Sequence, residues 1–336
     1  MGELGLSCEN CGVEYRKDQY GVISLIDDDY SFSNVVAQNT AILKEIERLS
    51  YSEILDHADI LEARYSEFSY EYGISGSRGA WTSICDFAGK TIIDIGGGYG
   101  SIAREIAKRG ARFVYCVDLS LDRLRIGSVV ASKEGVSNIL FIRLDILKTK
   151  LCSKSIDSIL MIGFFEYVGC SWSAKGPNPL EQRRAFLKEI GESLTDKGSL
   201  LIGIENKYSY IHFLGSTSHN EKPFTPLLPW PILLIIYNVV PLRNRAILHS
   251  HRGYSRLAKQ SGYRTRFYSQ YFNYKMPITF ASVDCDSHFS SFIIGKIRNK
   301  YIRRMLRVPL QCLDRIHILS EFSPSFLILA ERDGLD

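Results

Sequence analysis

Between Thr91 and Ile204, short runs of consecutive apolar residues alternate with longer stretches whose apolar positions recur every third or fourth residue. The short runs Thr91–Ile95, Phe113–Val117 and Ile139–Leu144 have the length and β-branched content of buried strands. The stretches between them read as helices. Ser101 to Arg109 closes at Gly110, Leu121 to Lys133 closes at Gly135, and Leu180 to Leu194 leads into an Asp196-Lys197-Gly198 turn. Strand, helix and strand in that order imply crossover connections and a parallel sheet, so the fold class is α/β. Tyr263 to Tyr271 and Ser325 to Ala330 are expected to close the strand series, the last strand running antiparallel after a long connection.

Upstream the pattern changes. Phe32 to Leu49 and Tyr51 to Tyr72 carry apolar residues, Ile42, Ile46 and Leu49 among them, at mixed three- and four-residue steps, which predicts a helical segment over 31–90. Such helices would either cover the mouth of a site on the sheet or serve as plain core cover. Residues 1–30 read as a separate hairpin, and 91–336 as the main domain with insertions at about 207–250 and 285–322. The first insertion holds the apolar run Leu227 to Leu242, which falls short of the ~20 residues of a membrane span and is interrupted by Pro229 and Pro231. An interfacial segment, a lid over an acceptor site and ordinary burial all fit it. The second sets Lys296, Arg298, Lys300, Arg303, Arg304 and Arg307 among Ile293, Ile294, Ile297, Ile302 and Leu306. That is the pattern of a basic amphipathic helix, suited to anionic lipid or to a solvated face.

Composition narrows the function classes. The 336 residues carry a formal charge of only +4, too little for an electrostatic nucleic-acid binder, so any basic effect is local. Eight cysteines without a disulfide-like framework, and no signal peptide at the start, favour the reducing cytoplasm, with a peripheral membrane contact left open. Cys8-x-x-Cys11, followed by Gly21-Val22-Ile23, resembles half of a zinc ribbon. A structural zinc needs four ligands and no second such pair exists, so no metal is expected.

The segment after the first main strand carries the chemistry. Asp94 is followed by Gly96, Gly98 and Gly100 in the pattern D-x-G-x-G-x-G at the carboxyl end of an apolar run. Ligands of open α/β sheets bind there, and glycines let the backbone approach them. Gly98-x-Gly100-x-x-Ala103 also fits the dinucleotide fingerprint and keeps an NAD(P)-dependent oxidoreductase as a rival. The acid argues otherwise: a carboxylate facing the loop would repel a pyrophosphate but attract a cationic amino-acid moiety. S-adenosylmethionine is therefore favoured. Asp118, at the end of the second strand, is placed to take both hydroxyls of a ribose, and Asp145, after the third, to accept from an adenine amino group. Leu119 and Ile146 follow these acids, and Arg78 could pair with the cofactor carboxylate.

With these residues the chain resembles the class I S-adenosylmethionine-dependent methyltransferases from about residue 78 onward. Met161-Ile162-Gly163-Phe164-Phe165-Glu166-Tyr167-Val168 is similar to the family's fourth-strand segment, and Leu194 to Ile202 to its entry into the fifth strand. The resemblance implies a Rossmann-like, seven-stranded, mostly parallel sheet with an antiparallel last strand, S-adenosylmethionine as cofactor, and Gly163 among the cofactor contacts. Ile204-Glu205-Asn206, His219, His251-Arg252-Gly253-Tyr254 through Gly262-Tyr263, and Phe272-Asn273-Tyr274-Lys275-Met276-Pro277 resemble a bacterial subgroup that often accompanies surface-polysaccharide or glycosyltransferase genes. The chain departs from that subgroup in lacking the acid before His219 and in its apolar insertion.

Methyl transfer from a sulfonium needs orientation above all, and a base only when the nucleophile is a hydroxyl. Glu205 and His219 are the candidate catalytic residues, with Asn206 and Glu166 beside them. An [D/N]-P-P-[Y/F] motif of amino-directed nucleic-acid enzymes is absent where Gly163-Phe164-Phe165-Glu166 stands, as is the Pro-Cys of cytosine-directed ones. The expected activity is O-methylation of a sugar or lipid-linked glycan intermediate. A soluble small-molecule acceptor and a non-catalytic cofactor-binding partner are the alternatives, and the sequence leaves oligomeric state open.

Overall fold

The computed structural model describes residues 6–7, 12, 14–26, 33–57, 60–61, 64, 84–170, 178–216, 222–239, 246–270, 280–283, 289–297, 299–315 and 318–333. Two compact units emerge, Met1–Met161 with Ser193–Thr195, and Ile162–Glu192 with Asp196–Asp336.

The first unit opens with a short antiparallel hairpin, β1 (Leu6–Ser7) against β2 (Glu14–Tyr15). Cys8 and Cys11 lie outside the described residues. Asp18 then turns the chain, its Oδ1 accepting from the backbone N–H groups of Tyr20 and Val22, and delivers β3 (Ile23–Ser24). Helix α1 spans Ser33–Arg48. Helix α2 (Tyr51–Asp56) starts on a reciprocal cap, in which Ser50 Oγ accepts from Glu53 N–H and the Glu53 carboxylate accepts from Ser50 N–H. It ends at Asp56 with His57 as its cap, and of the stretch on to Tyr72 the described residues Ile60, Leu61 and Arg64 are helical. Most of 58–83 lies outside the described residues.

The apolar runs then become strands joined by helices: β4 (Thr91–Ile95), α3 (Ser101–Lys108), β5 (Phe113–Asp118), α4 (Leu121–Lys133), β6 (Ile139–Arg143) and β7 (Ile156–Ile162). Every position of β4 is buried, as a strand covered on both faces requires. In this unit the strands pair in the order β7, β4, β5, β6, β3, and every pairing is parallel. Helix α1 packs on α4 through Ile42, Leu43 and Ile46 against Ile126 and Val130, with Ile54 and Leu61 completing the cluster. Each such buried aliphatic side chain contributes about 1.5–3 kcal/mol.

The second unit contains α5 (Pro179–Glu192), β8 (Leu194–Glu205) from Asp196 onward, α6 (Tyr210–Phe213), α7 (Trp230–Val239), α8 (His251–Gln260), β9 (Tyr263–Gln270), β10 (Phe280–Ser282), α9 (Phe289–Lys296), α10 (Lys300–Arg315), α11 (Ile318–Glu321) and β11 (Ser325–Arg332). The last strand, β11, runs antiparallel between β8 and β9, with Phe326 opposite Ile204 on one side and Ser269 on the other. All seven expected strands therefore form, the last of them antiparallel. Two short ones are added: β3 beside β6, and β10 antiparallel beside β9. The expected turn at Asp196-Lys197-Gly198 is instead part of β8, which is extended from Leu194 onward. Among the described residues no helix is long and apolar enough to cross a membrane, and the run from Leu227 yields only the ten residues of α7.

Candidate active site

Chain order in the first unit runs from β4 outward through β5 and β6, and then returns to β7 on the other side of β4. Strand order reverses at β4, and in an open α/β sheet the ligand crevice lies beyond the carboxyl ends at such a switch point. The glycine-rich loop occupies that place. Gly96 and Gly97 donate their N–H groups to Val117 O on the neighbouring strand at 2.9 and 3.1 Å. A Cβ at Gly97 would sit 2.5 Å from Cys116 Sγ. Gly100 has φ of 68°, in the left-handed region, and a Cβ there would lie 2.6 Å from Phe141 Cε1. Asp94 is buried beneath this loop at 1 % exposure, its Oδ2 against Gly97. Burial pushes the Cys116 thiol well up, and Asp94 and then Asp118 push it further, so Cys116 is a packing residue rather than a nucleophile.

Asp118 is fixed on both oxygens. Its Oδ2 accepts from Gly98 N–H at 3.0 Å, and its Oδ1 from Ser120 N–H at 2.8 Å. Each carboxylate oxygen has a lone pair left over, so the group is oriented yet still able to accept from a diol. Asp145 follows β6, the next strand over, with Leu144 N–H donating to Asp118 O. Its Oδ1 accepts from Leu147 N–H at 3.1 Å and its Oδ2 faces Lys148 at 3.3 Å. Leu119 O accepts from the buried Arg143 guanidinium, and Ile146 is buried below Asp145's turn. The structure thus gathers Asp94, Gly96, Gly98, Gly100, Asp118, Leu119, Asp145 and Ile146 at the carboxyl ends of three adjacent parallel strands. A cradle without side chains, an oriented acid for a ribose and a second acid one strand on fit an adenosyl cofactor. Arg78 lies outside the described residues.

Two contacts invisible in the motif hold the loop from behind. Tyr99, between Gly98 and Gly100, donates from its hydroxyl to Asn39 Oδ1 on α1 at 3.0 Å, with both side chains buried. Its carbonyl accepts from Arg104 Nη1 at 2.9 Å. Arg104, 2 % exposed, also meets Glu134 at 2.9 Å, and Glu134 takes Lys108 at 2.6 Å and the Tyr51 hydroxyl at 2.8 Å. Burial pushes the Arg104 guanidinium down, opposed by Glu134.

The remaining candidates belong to the second unit. Gly163 follows β7 and donates to Gly203 O at 2.9 Å. Glu205 ends β8, with its own carbonyl accepting from the Tyr254 hydroxyl at 3.2 Å. The Asn206 side chain is committed to structure: Nδ2 donates to Glu321 O and Ser323 O, and Oδ1 accepts from Tyr208 N–H. Glu166 is fully buried, and its carbonyl accepts from the Arg183 guanidinium at 2.7 Å. His219 lies outside the described residues. Two other histidines stand out. His212, on α6, is 1 % exposed, and burial pushes its pKa down while the Glu205 carboxylate opposes the shift. His249, whose Nε2 is sealed from solvent, is pushed down to about 3, first by burial and then by Arg183 and Lys207. No motif marks either one, because both sit in the irregular insertion after β8.

Residues 92–198 match the family described as a methyltransferase domain. No curated protein sequence gives a significant match. Among solved structures, the chain is similar to an S-adenosylmethionine-dependent methyltransferase from Mesorhizobium loti (14% identity, 78% of this chain and 100% of that one, TM-score 0.45). It is also similar to an O-methyltransferase family 2 protein from Planctomyces limnophilus solved with apigenin (14% identity, 73% and 51%, TM-score 0.41). Likenesses at that level carry no weight beside the family match. Residues 92–198 are a methyltransferase domain, and the chain is an enzyme, an S-adenosylmethionine-dependent methyltransferase. The oxidoreductase reading falls with that match.

Proposed function

We propose that this enzyme O-methylates a sugar or a lipid-linked glycan intermediate. The observation that supports the proposal is the place of Glu205 at the carboxyl end of β8, with the buried His212 of α6 close enough to feel its carboxylate, which opposes the burial that lowers the imidazole's pKa. A neutral imidazole accepts a proton, which a hydroxyl nucleophile must lose and an already nucleophilic sulfur or amine need not. S-adenosylmethionine supplies a methyl group on a leaving group that is already activated. Asp118 and the glycine-rich loop bind the cofactor, and Glu205 orients the acceptor hydroxyl. A histidine, the buried His212 or the sequence candidate His219, takes its proton. The likeness of Ile204-Glu205-Asn206 to the polysaccharide-associated subgroup supports a glycan acceptor.

Methyl-labelled cofactor, incubated with the enzyme and fractionated cell extract, tests the acceptor. Label moving into the organic-extractable glycolipid or sugar fraction is the expected result; label in a non-glycan small molecule overturns it in favour of a soluble acceptor. With an acceptor in hand, Glu205→Gln and at least one of His212→Asn and His219→Asn should lower kcat by about 10²–10⁴ with cofactor affinity unchanged. Full turnover in all three would remove the base from the mechanism.

A further inference from the structure

We infer that α10 is a docking surface for an anionic lipid bilayer. The helix turns its apolar side outward. Tyr301, Met305, Val308 and Cys312 recur at alternating four- and three-residue steps and so share one face. That face is in water: Tyr301 is 72% exposed, Met305 68% and Val308 64%, and Cys312 is exposed as well. The side packed on the protein is a different one, formed by Leu306, Leu310 and Asp314. Asp314 is buried and its Oδ2 accepts from Ser290 N–H at 2.9 Å, which locks the rotation of α10 against the start of α9. The outward apolar face is therefore fixed by the fold.

Charge decides what covers it. Lys300, Arg303, Arg304, Arg307 and Arg315 are all exposed on α10, and its one acidic residue is the inward Asp314. Arg303 is held by donating to Ile297 O, while Arg304 and Arg307 lie together on one side of the apolar stripe, between it and the packed face. A second copy of the chain placed face to face would set these cations against one another. A nucleic acid would meet the cations but leave Tyr301, Met305 and Val308 against phosphates. An anionic membrane surface satisfies both features, taking the apolar stripe into the acyl boundary and the cations at the headgroups. This inference stands apart from the acceptor reading, since it concerns where the enzyme resides and not what it methylates.

The test is flotation of the full-length chain with vesicles of phosphatidylcholine alone or mixed with phosphatidylglycerol, without cofactor or acceptor. The chain is expected to float with the mixed vesicles at low salt and to be released as salt rises. Each of these two exposed cations should account for about fivefold in partitioning, so the Arg304→Ala, Arg307→Ala double variant should bind about 25-fold more weakly. Met305→Asp should abolish flotation while leaving S-adenosylmethionine affinity, measured by calorimetry on the same sample, unchanged. Absence of the chain from mixed vesicles at low salt overturns the inference, as does equal flotation on neutral vesicles or by Met305→Asp. Binding to duplex DNA that survives Met305→Asp also overturns it. Methyl transfer to a soluble acceptor is read without vesicles, so a failure there leaves this result untouched.

Discussion

Asp118 shows how much of a site a sequence can disclose. Its place at the end of an apolar run, 20 residues after Gly98 of the glycine-rich turn, is enough to nominate it for a ribose, and the structure puts it beside that turn. What the sequence withholds is how the acid is held: the Gly98 and Ser120 amides that aim its carboxylate are backbone groups with no signature in the residue string. They also decide what a substitution does. Asp118→Ala removes the ligand-facing acceptor and frees the Gly98 amide together, so cofactor affinity should fall about tenfold or more, at ~1.5–3 kcal/mol per hydrogen bond to a charged group. Asp118→Asn keeps one carbonyl acceptor and should fall less. Calorimetric titration with S-adenosylmethionine reads both; unchanged affinity in a folded Asp118→Ala protein would refute the assignment. His212 and His249 mark the opposite case. Neither lies at a recurring spacing, and only the folded insertion brings His212 to Glu205 and His249 to Arg183 and Lys207.

At the scale of elements, periodicity predicts α3, α4 and the strands between them closely, because each is amphipathic or apolar along its length and closed by glycine. It predicts α1 as a helix but leaves open whether α1 is cover or part of the site. The structure gives it a link to the glycine-rich loop through Asn39 and Tyr99, sixty residues apart in the chain, a pairing that local pattern cannot contain. The strand start at Leu194 is missed for a similar reason: Asp196-Lys197-Gly198 has turn chemistry, yet the segment stays extended, with Thr195 Oγ1 donating to Asp157 Oδ1 on β7. The Asn39–Tyr99 bond makes a definite prediction. Asn39→Leu alone leaves a buried tyrosine hydroxyl without its acceptor and should cost about 1–3 kcal/mol. Adding Tyr99→Phe removes the other partner and should restore much of that loss. Urea unfolding of the two single variants and the double would show it; strictly additive losses would mean that the bond is not what holds α1 to the loop.

Over the whole molecule, most of the candidate cofactor residues lie in the first unit, where parallel strands follow one another in sequence and their ends are easy to read. The second unit holds the acceptor candidates in a region built from insertions, where burial sets the properties of side chains and the string of residues does not. One consequence is measurable as acid sensitivity. His249 titrates near 6.5 when unfolded and near 3 when folded, so between those values the unfolded chain binds a proton that the folded one does not. Stability from this group is complete above about pH 6.5 and drains away as the pH falls. The Arg183 guanidinium on α5 and the Lys207 ammonium after β8 reinforce the effect of burial, while Tyr254 on α8 faces the ring edge-on at 5.4 Å as a neutral phenol, its own pKa pushed well up by burial. At pH 5 the loss attributable to His249 is about 1–2 kcal/mol. Urea midpoints at pH 7 and pH 5 should therefore drop more for the native protein than for His249→Gln, which fills the same space without titrating. Equal drops in the two proteins would show that His249 is not protonated on unfolding in this range, and would move the acid sensitivity to the carboxylates.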